Sequence, residues 1–340
     1  MTRLVVVGPE EGLAHALVGH PEGPDRVRAA MAGISDLHLG ADLRLVAGRE
    51  ATIDELARVH TRGYLQQLEA SCRSGGGQLD PDTYALEGSW AAARRAAGAG
   101  LVAIAALRSG EADVAFVAAR PPGHHALAGR SMGFCLLNNI AVAAASLTMT
   151  GERVLIVDWD VHHGNGTQEV FWDDRRVLYV STHQAPFYPG TGRVTDAGGV
   201  HARGLTVNIP LPAGATGDVV RQALDEVAAP VVERFEPTWV LVSAGFDAHR
   251  ADPLADLRLS AGDFGCLSSL VASYGPRLGR LALFLEGGYD AAALRSSVAA
   301  SLAVLVGGVA SAEAPTQGGP GREAVEIARA VHARMAKEEL

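Results

Sequence analysis

The chain has 340 residues and a mass of 35.3 kDa, with 29 Lys+Arg against 38 Asp+Glu, a formal charge of −9 and a pI of about 5.7. This acidic balance argues against a nucleic-acid wrapper or a binder of anionic membranes, since both recruit phosphate with basic surface. Apolar residues make up 48% and charged ones 20%, with a mean hydropathy of +0.13, far from the polar composition of disordered chains.

From the N-terminus, short β-branched runs alternate with longer helical patterns. Strands are predicted at Leu4 to Val7 and Leu43 to Val46, then a helix at Ser89 to Leu107, a strand at Val114 to Ala118 and a helix at Asn138 to Met149. Three strands follow at Val154 to Val157, Val177 to Val180 and Leu205 to Ile209, then a helix at Gly217 to Arg234. The strand Trp239 to Val242, the helix Ala261 to Tyr274, the strand Leu281 to Leu285 and the helix Ala291 to Leu305 complete the pattern. Most of the eight strand runs are continuously apolar, as strands buried on both faces of a parallel sheet are, and the alternation argues for βαβ units. The Gly/Pro-rich stretch at 307–321 precedes a helical segment at 323–338, and 1–340 reads as one domain.

Cys72, Cys135 and Cys266 show no C-x-x-C spacing, so neither a disulfide framework nor a thiolate zinc site is expected and a reducing compartment is implied. The first apolar run is too short, and acids follow too soon, for a signal peptide. The apolar stretch before Arg108 breaks before reaching ~20 residues, so no membrane span is expected. A cytoplasmic protein is the expectation.

In open parallel sheets ligands bind beyond the carboxyl ends of the strands, and four polar clusters fall there. The strand Val154 to Val157 runs into Asp158-Trp159-Asp160-Val161-His162-His163. If strand geometry persists, Asp158, Asp160 and His162 share a face. Trp239 to Val242 leads to Asp247, and Asp160, His162 and Asp247 would make a two-carboxylate, one-imidazole site with a position open to water, the pattern of a catalytic zinc. Val114 to Ala118 leads to Pro121-Pro122-Gly123-His124-His125, offering imidazole as a general base near neutral pH. Leu281 to Leu285 leads to Glu286-Gly287-Gly288-Tyr289, whose phenol can hydrogen-bond a developing oxyanion. Asp158 suits the role of orienting a histidine. Positions beside the triad are filled by His124 and His125 rather than further acids, so one metal per chain is expected.

The motifs R-P-P-G-H-H-A (Arg120 to Ala126), G-F-C-L-L-N-N (Gly133 to Asn139), V-D-W-D-V-H-H-G-N-G-T-Q (Val157 to Gln168), P-F-Y-P-G-T-G (Pro186 to Gly192), S-A-G-F-D-A-H (Ser243 to His249) and L-E-G-G-Y (Leu285 to Tyr289) resemble the zinc-dependent histone deacetylase and acetylpolyamine amidohydrolase family, in order over about 3–307. The resemblance implies the three-layer α/β arginase/deacetylase fold with an eight-stranded parallel sheet, and zinc on Asp160, His162 and Asp247. It also implies His125 as the base, His124 beside it, Tyr289 as oxyanion donor, Asp158 paired with His124 and Asn165 with His125. Asn at 165 looks like the class II and bacterial branch. Gly133, Phe134 and Tyr188 match the wall of an acyl-lysine tunnel, Leu254 its gatekeeper, Asp82 a rim acid that accepts substrate N–H groups, and Arg26 an arginine near an internal channel. A structural K+ would use backbone oxygens of Asp158, Asp160 and His162 with the Ser181 hydroxyl.

Expected substrates are small-molecule or peptide acyl-amines. An acid at the gatekeeper position would attract a secondary ammonium, and Leu254 carries no charge, which leans toward acetyl-lysine-like amides over acetylated polyamines. A non-catalytic acyl-lysine binding module and a binuclear manganese hydrolase of the same fold are the competing readings. Retention of Tyr289 and of all three ligands disfavours the former. A homo-oligomer is compatible with the sequence. Cys135 reads as a small buried apolar residue, and His163, His183 and His249 as structural groups.

Overall fold

The computed structural model describes residues 2–8, 12, 14–275, 279–308 and 313–338. Parts of the first dozen residues and of the Gly/Pro-rich stretch before the last helix lie outside them. In chain order the elements are β1 (Leu4–Val7), α1 (Pro24–Ser35), β2 (Leu43–Val46), α2 (Ile53–Leu56), α3 (Arg62–Arg73), β3 (Gly76–Gln78), β4 (Tyr84–Leu86), α4 (Ser89–Arg108), β5 (Val114–Val117) and α5 (Asn139–Thr148). They continue with β6 (Val154–Asp158), α6 (Asn165–Phe171), β7 (Val177–Gln184), β8 (Thr206–Leu211), α7 (Gly217–Ala223), α8 (Ala229–Phe235), β9 (Trp239–Ala244), α9 (Ala261–Ser273), β10 (Leu281–Leu285), α10 (Ala291–Val306) and α11 (Arg322–Glu338).

The eight strands expected from their apolar runs form one sheet, ordered β2-β1-β5-β10-β9-β6-β7-β8 and parallel throughout. Because successive side chains point to opposite faces, each strand feeds two cores. Leu4 and Val6 join Ala30 of α1, Leu267 of α9, Val298 of α10 and Val325 of α11 on one face. Val5 and Val7 join Leu65 of α3, Ala96 of α4 and Ile140 of α5 on the other. The result is a three-layer α/β architecture.

The sequence reading missed the helices α1, α2, α3 and α6 and the β3–β4 ribbon. Pro24 stands in the first turn of α1, where its missing N–H costs nothing. Thr61 caps α3 by accepting the Tyr64 N–H. The helix predicted over 217–234 is interrupted by a π-helical turn at Leu224–Ala228 before Pro230. At 20 residues, α4 is long and apolar enough to cross a membrane by length and composition, contrary to the expected break. Its most apolar window, however, is 67% buried inside the fold, which makes it a core helix.

The sheet order sets the site. β5, β10, β9 and β6 are consecutive central neighbours, so the four polar clusters at their carboxyl ends are brought together. In the sequence they are spread between Arg120 and Tyr289.

Candidate active site

β6 ends at Asp158, so the strand geometry that would have aligned Asp158, Asp160 and His162 on one face does not persist. A hydrogen-bonded loop aims them instead. Asp158 Oδ1 accepts the Asp160 N–H at 3.2 Å, Asp160 Oδ1 accepts the His162 N–H at 2.9 Å, and Asp247 Oδ1 accepts the Val161 N–H at 3.0 Å. Gly287, after β10, donates its N–H to Asp160 Oδ2 at 2.8 Å. Asp158 therefore turns away from the other two, toward His124.

Asp160, His162 and Asp247 each offer a ligand atom, all within 4.8 Å of one another, and they are the one group of at least three metal-ligating side chains so placed among the described residues. The His162 Nδ1 stands 3.1 Å from Asp160 Oδ1 and 3.2 Å from Asp247 Oδ2. Asp247 Oδ2 is nonetheless buried without a hydrogen-bond partner. An orphaned carboxylate oxygen beside an imidazole and a second carboxylate fits a divalent cation with mixed O/N ligands. Burial opposes a charge on His162, but Asp160 and Asp247 prevail and push it up to about 10. A proton on His162 and a metal thus compete for the same carboxylates.

Glycine makes this packing possible. A Cβ on Gly245 would lie 2.0 Å from Asp160 Oδ2, and one on Gly287 would lie 1.9 Å from Asp247 Oδ2. Both glycines follow strand ends and let the backbone close on the carboxylates.

The adjacent histidines have different partners. His124 Nδ1 lies 3.0 Å from Asp158 Oδ2, which also accepts the Tyr179 hydroxyl at 3.1 Å. His125 Nδ1 donates to Asn165 Oδ1 at 2.8 Å, leaving Nε2 as the acceptor nitrogen. Burial works against charge on His124, but Asp158 and then Asp160 push it up to about 10. Burial, reinforced by His124 and His162, holds His125 well below the usual histidine range. One imidazole is kept charged and its neighbour neutral.

A cavity of about 260 Å³ opens over this floor. Asp82, His124, His125, Gly133, Phe134, Asp160, His162, Tyr188, Leu254 and Tyr289 all line it. Phe134 packs edge-on to Tyr289 with centroids 5.8 Å apart, and Tyr188 edge-on to His125 at 5.3 Å. Gly133, at φ +56, sits where a Cβ would strike the His125 ring at 2.4 Å. Asp82 Oδ1 already accepts the Gly133 N–H at 3.2 Å, so this rim acid braces the tunnel wall as well as facing the opening. Arg26 lies under the floor. Its Nε donates to Gly288 O at 2.7 Å and its Cζ is 4.9 Å from the centre of the Tyr289 ring.

Asp158, Asn165 and Asp247 do not line the opening as Asp160 does; they act from behind the residues they hold. His163, His183 and His249 are occupied elsewhere, with Thr191, Gly192 and Glu313 among their partners. Ser181 Oγ lies 2.9 Å from His183 Nδ1, and a hydroxyl donating there keeps lone pairs for a cation. Cys135 is fully buried, with burial pushing its thiol well above the usual value, which suits a packing role.

Three buried acids were not singled out from the sequence. Glu286 Oε2 accepts the N–H groups of Gly123 and His124 at 2.7 and 3.1 Å, fixing the turn that presents both histidines. Asp252 accepts the Leu254 N–H at 3.0 Å and the Tyr289 N–H at 2.6 Å, joining gatekeeper to phenol. Glu22 pairs with fully buried Arg120, at 2.8 Å from Nε and 2.5 Å from Nη2, and ties the first segment to the turn after β5. The available signal was an acid inside or next to a motif, as in Asp252-Pro253-Leu254, but nothing local names its partner.

Comparison with known proteins agrees with this geometry. The histone deacetylase domain model matches residues 20–305. The chain is 40% identical over 282 residues to a histone deacetylase-like amidohydrolase of Pseudomonas aeruginosa, covering 82% of this chain and 74% of that protein. It is 39% identical over 316 residues to histone deacetylase 10, chloroplastic, of Oryza sativa subsp. japonica, covering 87% and 71%. A probable deacetylase of Archaeoglobus fulgidus is 39% identical over 291 residues, covering 84% and 81%. Among solved structures, the HDA15 HD domain superposes with a TM-score of 0.90 at 34% identity, covering 98% of this chain and 95% of that one. The chain belongs to the histone deacetylase family and is a deacetylase.

Proposed function

We propose that the protein is a single-zinc amidohydrolase that removes the acyl group, acetyl first among them, from acetyl-lysine-like substrates. The observation that carries this reading is the convergence of Asp160, His162, the neutral His125 and the Tyr289 ring on one narrow cavity, with the orphaned Asp247 oxygen 3.2 Å from His162 Nδ1 behind its wall. Asp160, His162 and Asp247 would hold the zinc, which when bound polarises a carbonyl and acidifies water. His125 Nε2, turned toward the cavity by the Asn165 bond, takes the proton of the attacking water as its oxygen joins the carbonyl carbon. Tyr289, which burial keeps protonated, donates its hydroxyl to the oxyanion. The C–N bond then breaks, His125 passes its proton to the departing nitrogen, and a carboxylate and an amine result. His124 and Asp158 supply fixed charge behind the base. A structural K+ on the backbone oxygens of Asp158, Asp160 and His162 with the Ser181 hydroxyl belongs to the same reading.

The uncharged Leu254 on the tunnel wall supports an acyl-lysine chain over an acetylated polyamine, whose secondary ammonium would find no partner on that side chain. The test is kcat/KM of the zinc-loaded protein on an acetyl-lysine peptide and on a mono-acetylated polyamine, side by side. A preference for the peptide of about 100-fold, worth about 2.7 kcal/mol, is expected. The reverse preference would make this a polyamine enzyme.

A further inference from the structure

At the opposite end of the sheet, the amino ends of β6, β7 and β8 carry Arg153, Arg175 and Arg203, and the last turn of α8 adds Arg234. All four line one cavity of about 250 Å³. Its remaining wall includes buried Phe235 and, from α11, His332. The sequence hides this gathering, because the four arginines stand 22 or more residues apart, in three strand-leading connections and at the end of one helix. Among the described residues Arg175 and Arg234 make no ion pair with a carboxylate, while Arg153 reaches Glu236. All four arginines are exposed, and in a chain of net charge −9 they gather at one concave, partly apolar pocket, a local concentration of positive charge open to an anionic ligand.

A second observation points the same way. His332 is 5% exposed, and its Nε2 has no hydrogen-bond partner. Burial, with Arg234 adding to it, holds this imidazole down to about 4, so the ring is neutral and one buried nitrogen is left to be satisfied. Planar guanidinium forks match phosphate oxygens in pairs, and the apolar wall accommodates a ring or chain attached to them.

We propose that the arginine-lined cavity at the amino ends of β6–β8 binds a small molecule bearing two or more phosphate groups, with His332 completing its hydrogen bonds. The site lies across the sheet from the deacetylase cavity and shares no residue with it. Because α11 supplies part of the wall, an occupant would fasten the C-terminal helix to the sheet.

The experiment is calorimetric titration of the full-length, zinc-loaded protein with ADP, pyrophosphate and adenosine, repeated with R175A/R234A. Neither substituted residue touches the deacetylase cavity, so the variant should keep wild-type kcat/KM on an acetyl-lysine peptide. Any effect of phosphate on the zinc would be common to both proteins. Saturable binding of ADP or pyrophosphate that weakens at least about tenfold in the variant is expected from the loss of charge-assisted bonds. Loss of both in the variant would assign recognition to phosphate alone, and loss of ADP without pyrophosphate binding would assign it to a nucleotide. Equal binding by the two proteins, binding of adenosine alone, or no saturable binding of any of the three would overturn the proposal.

Discussion

On the floor of the deacetylase cavity, Asp160 is held by the His162 and Gly287 N–H groups, Asp247 by the Val161 N–H, and His124 and His125 by Asp158 and Asn165. At the rim, Tyr188 is 36% exposed, and in the neighbouring groove Leu17 is 44% exposed beside a fully exposed Val18. Floor side chains are fixed by the backbone and by one another; at the rim Asp82 is tied to the Gly133 N–H, but Tyr188 and Leu17 stand partly in solvent. Chemistry that needs reacting groups held within a fraction of an ångström belongs on such a floor, and substrate choice can vary at the rim without disturbing it.

The widest separation between the two regions should appear when the floor loses a ligand. D247N is expected to lower metal content to background by elemental analysis and kcat/KM by at least about 10³-fold. G245A should approach the same result, since its Cβ would displace Asp160; near-normal metal content in G245A would mean that the floor yields more than its packing implies. H125A and Y289F should lower kcat by roughly 10²- to 10³-fold while the metal stays bound, separating proton transfer and oxyanion donation from metal holding. Wild-type turnover in either would remove that residue from the mechanism.

Glu286 gives a smaller, pH-dependent effect. Burial raises this acid to about 7 from its ordinary 4.5, against the pull of His124. The native state therefore holds the proton more tightly than the unfolded chain, so the group's contribution is fully present below pH 4.5 and is lost as pH rises through about 7. The Tm of metal-free protein should fall over that window, and E286Q should flatten the fall; an unchanged slope would show that another group titrates there. The smallest effect is expected at the rim, where L254E should shift preference toward the acetylated polyamine by about tenfold with Tm nearly unchanged. No shift would move selectivity to other rim residues.

All eight strands of the sheet were legible because apolar β-branched runs between helical patterns leave few other readings, and the sheet rule then pointed to their carboxyl ends. The triad was legible for the same reason, although the alternation used to align it does not exist beyond Asp158; backbone N–H groups and two strand-end glycines aim Asp160 and His162. Glu22, Asp252 and Glu286 were not legible as supports, because each bonds to groups 98, 37 and 163 residues away or differs from an ordinary surface acid only through that partner. The arginine cavity was invisible for the same cause. The ribbon β3–β4, which lines the groove beside the rim, lacks the apolar run that betrayed the central strands. Helix α3 does carry an amphipathic pattern, with Tyr64, Leu65, Leu68 and Cys72 on its buried face, but it is short and stands apart from the strand runs.

The central claim is one catalytic metal on Asp160, His162 and Asp247. Titrating zinc into metal-free protein while following hydrolysis of an acetyl-lysine peptide tests it directly. Activity should rise linearly and level off at one zinc per chain; a plateau at two, or turnover that does not depend on added metal, would contradict the account.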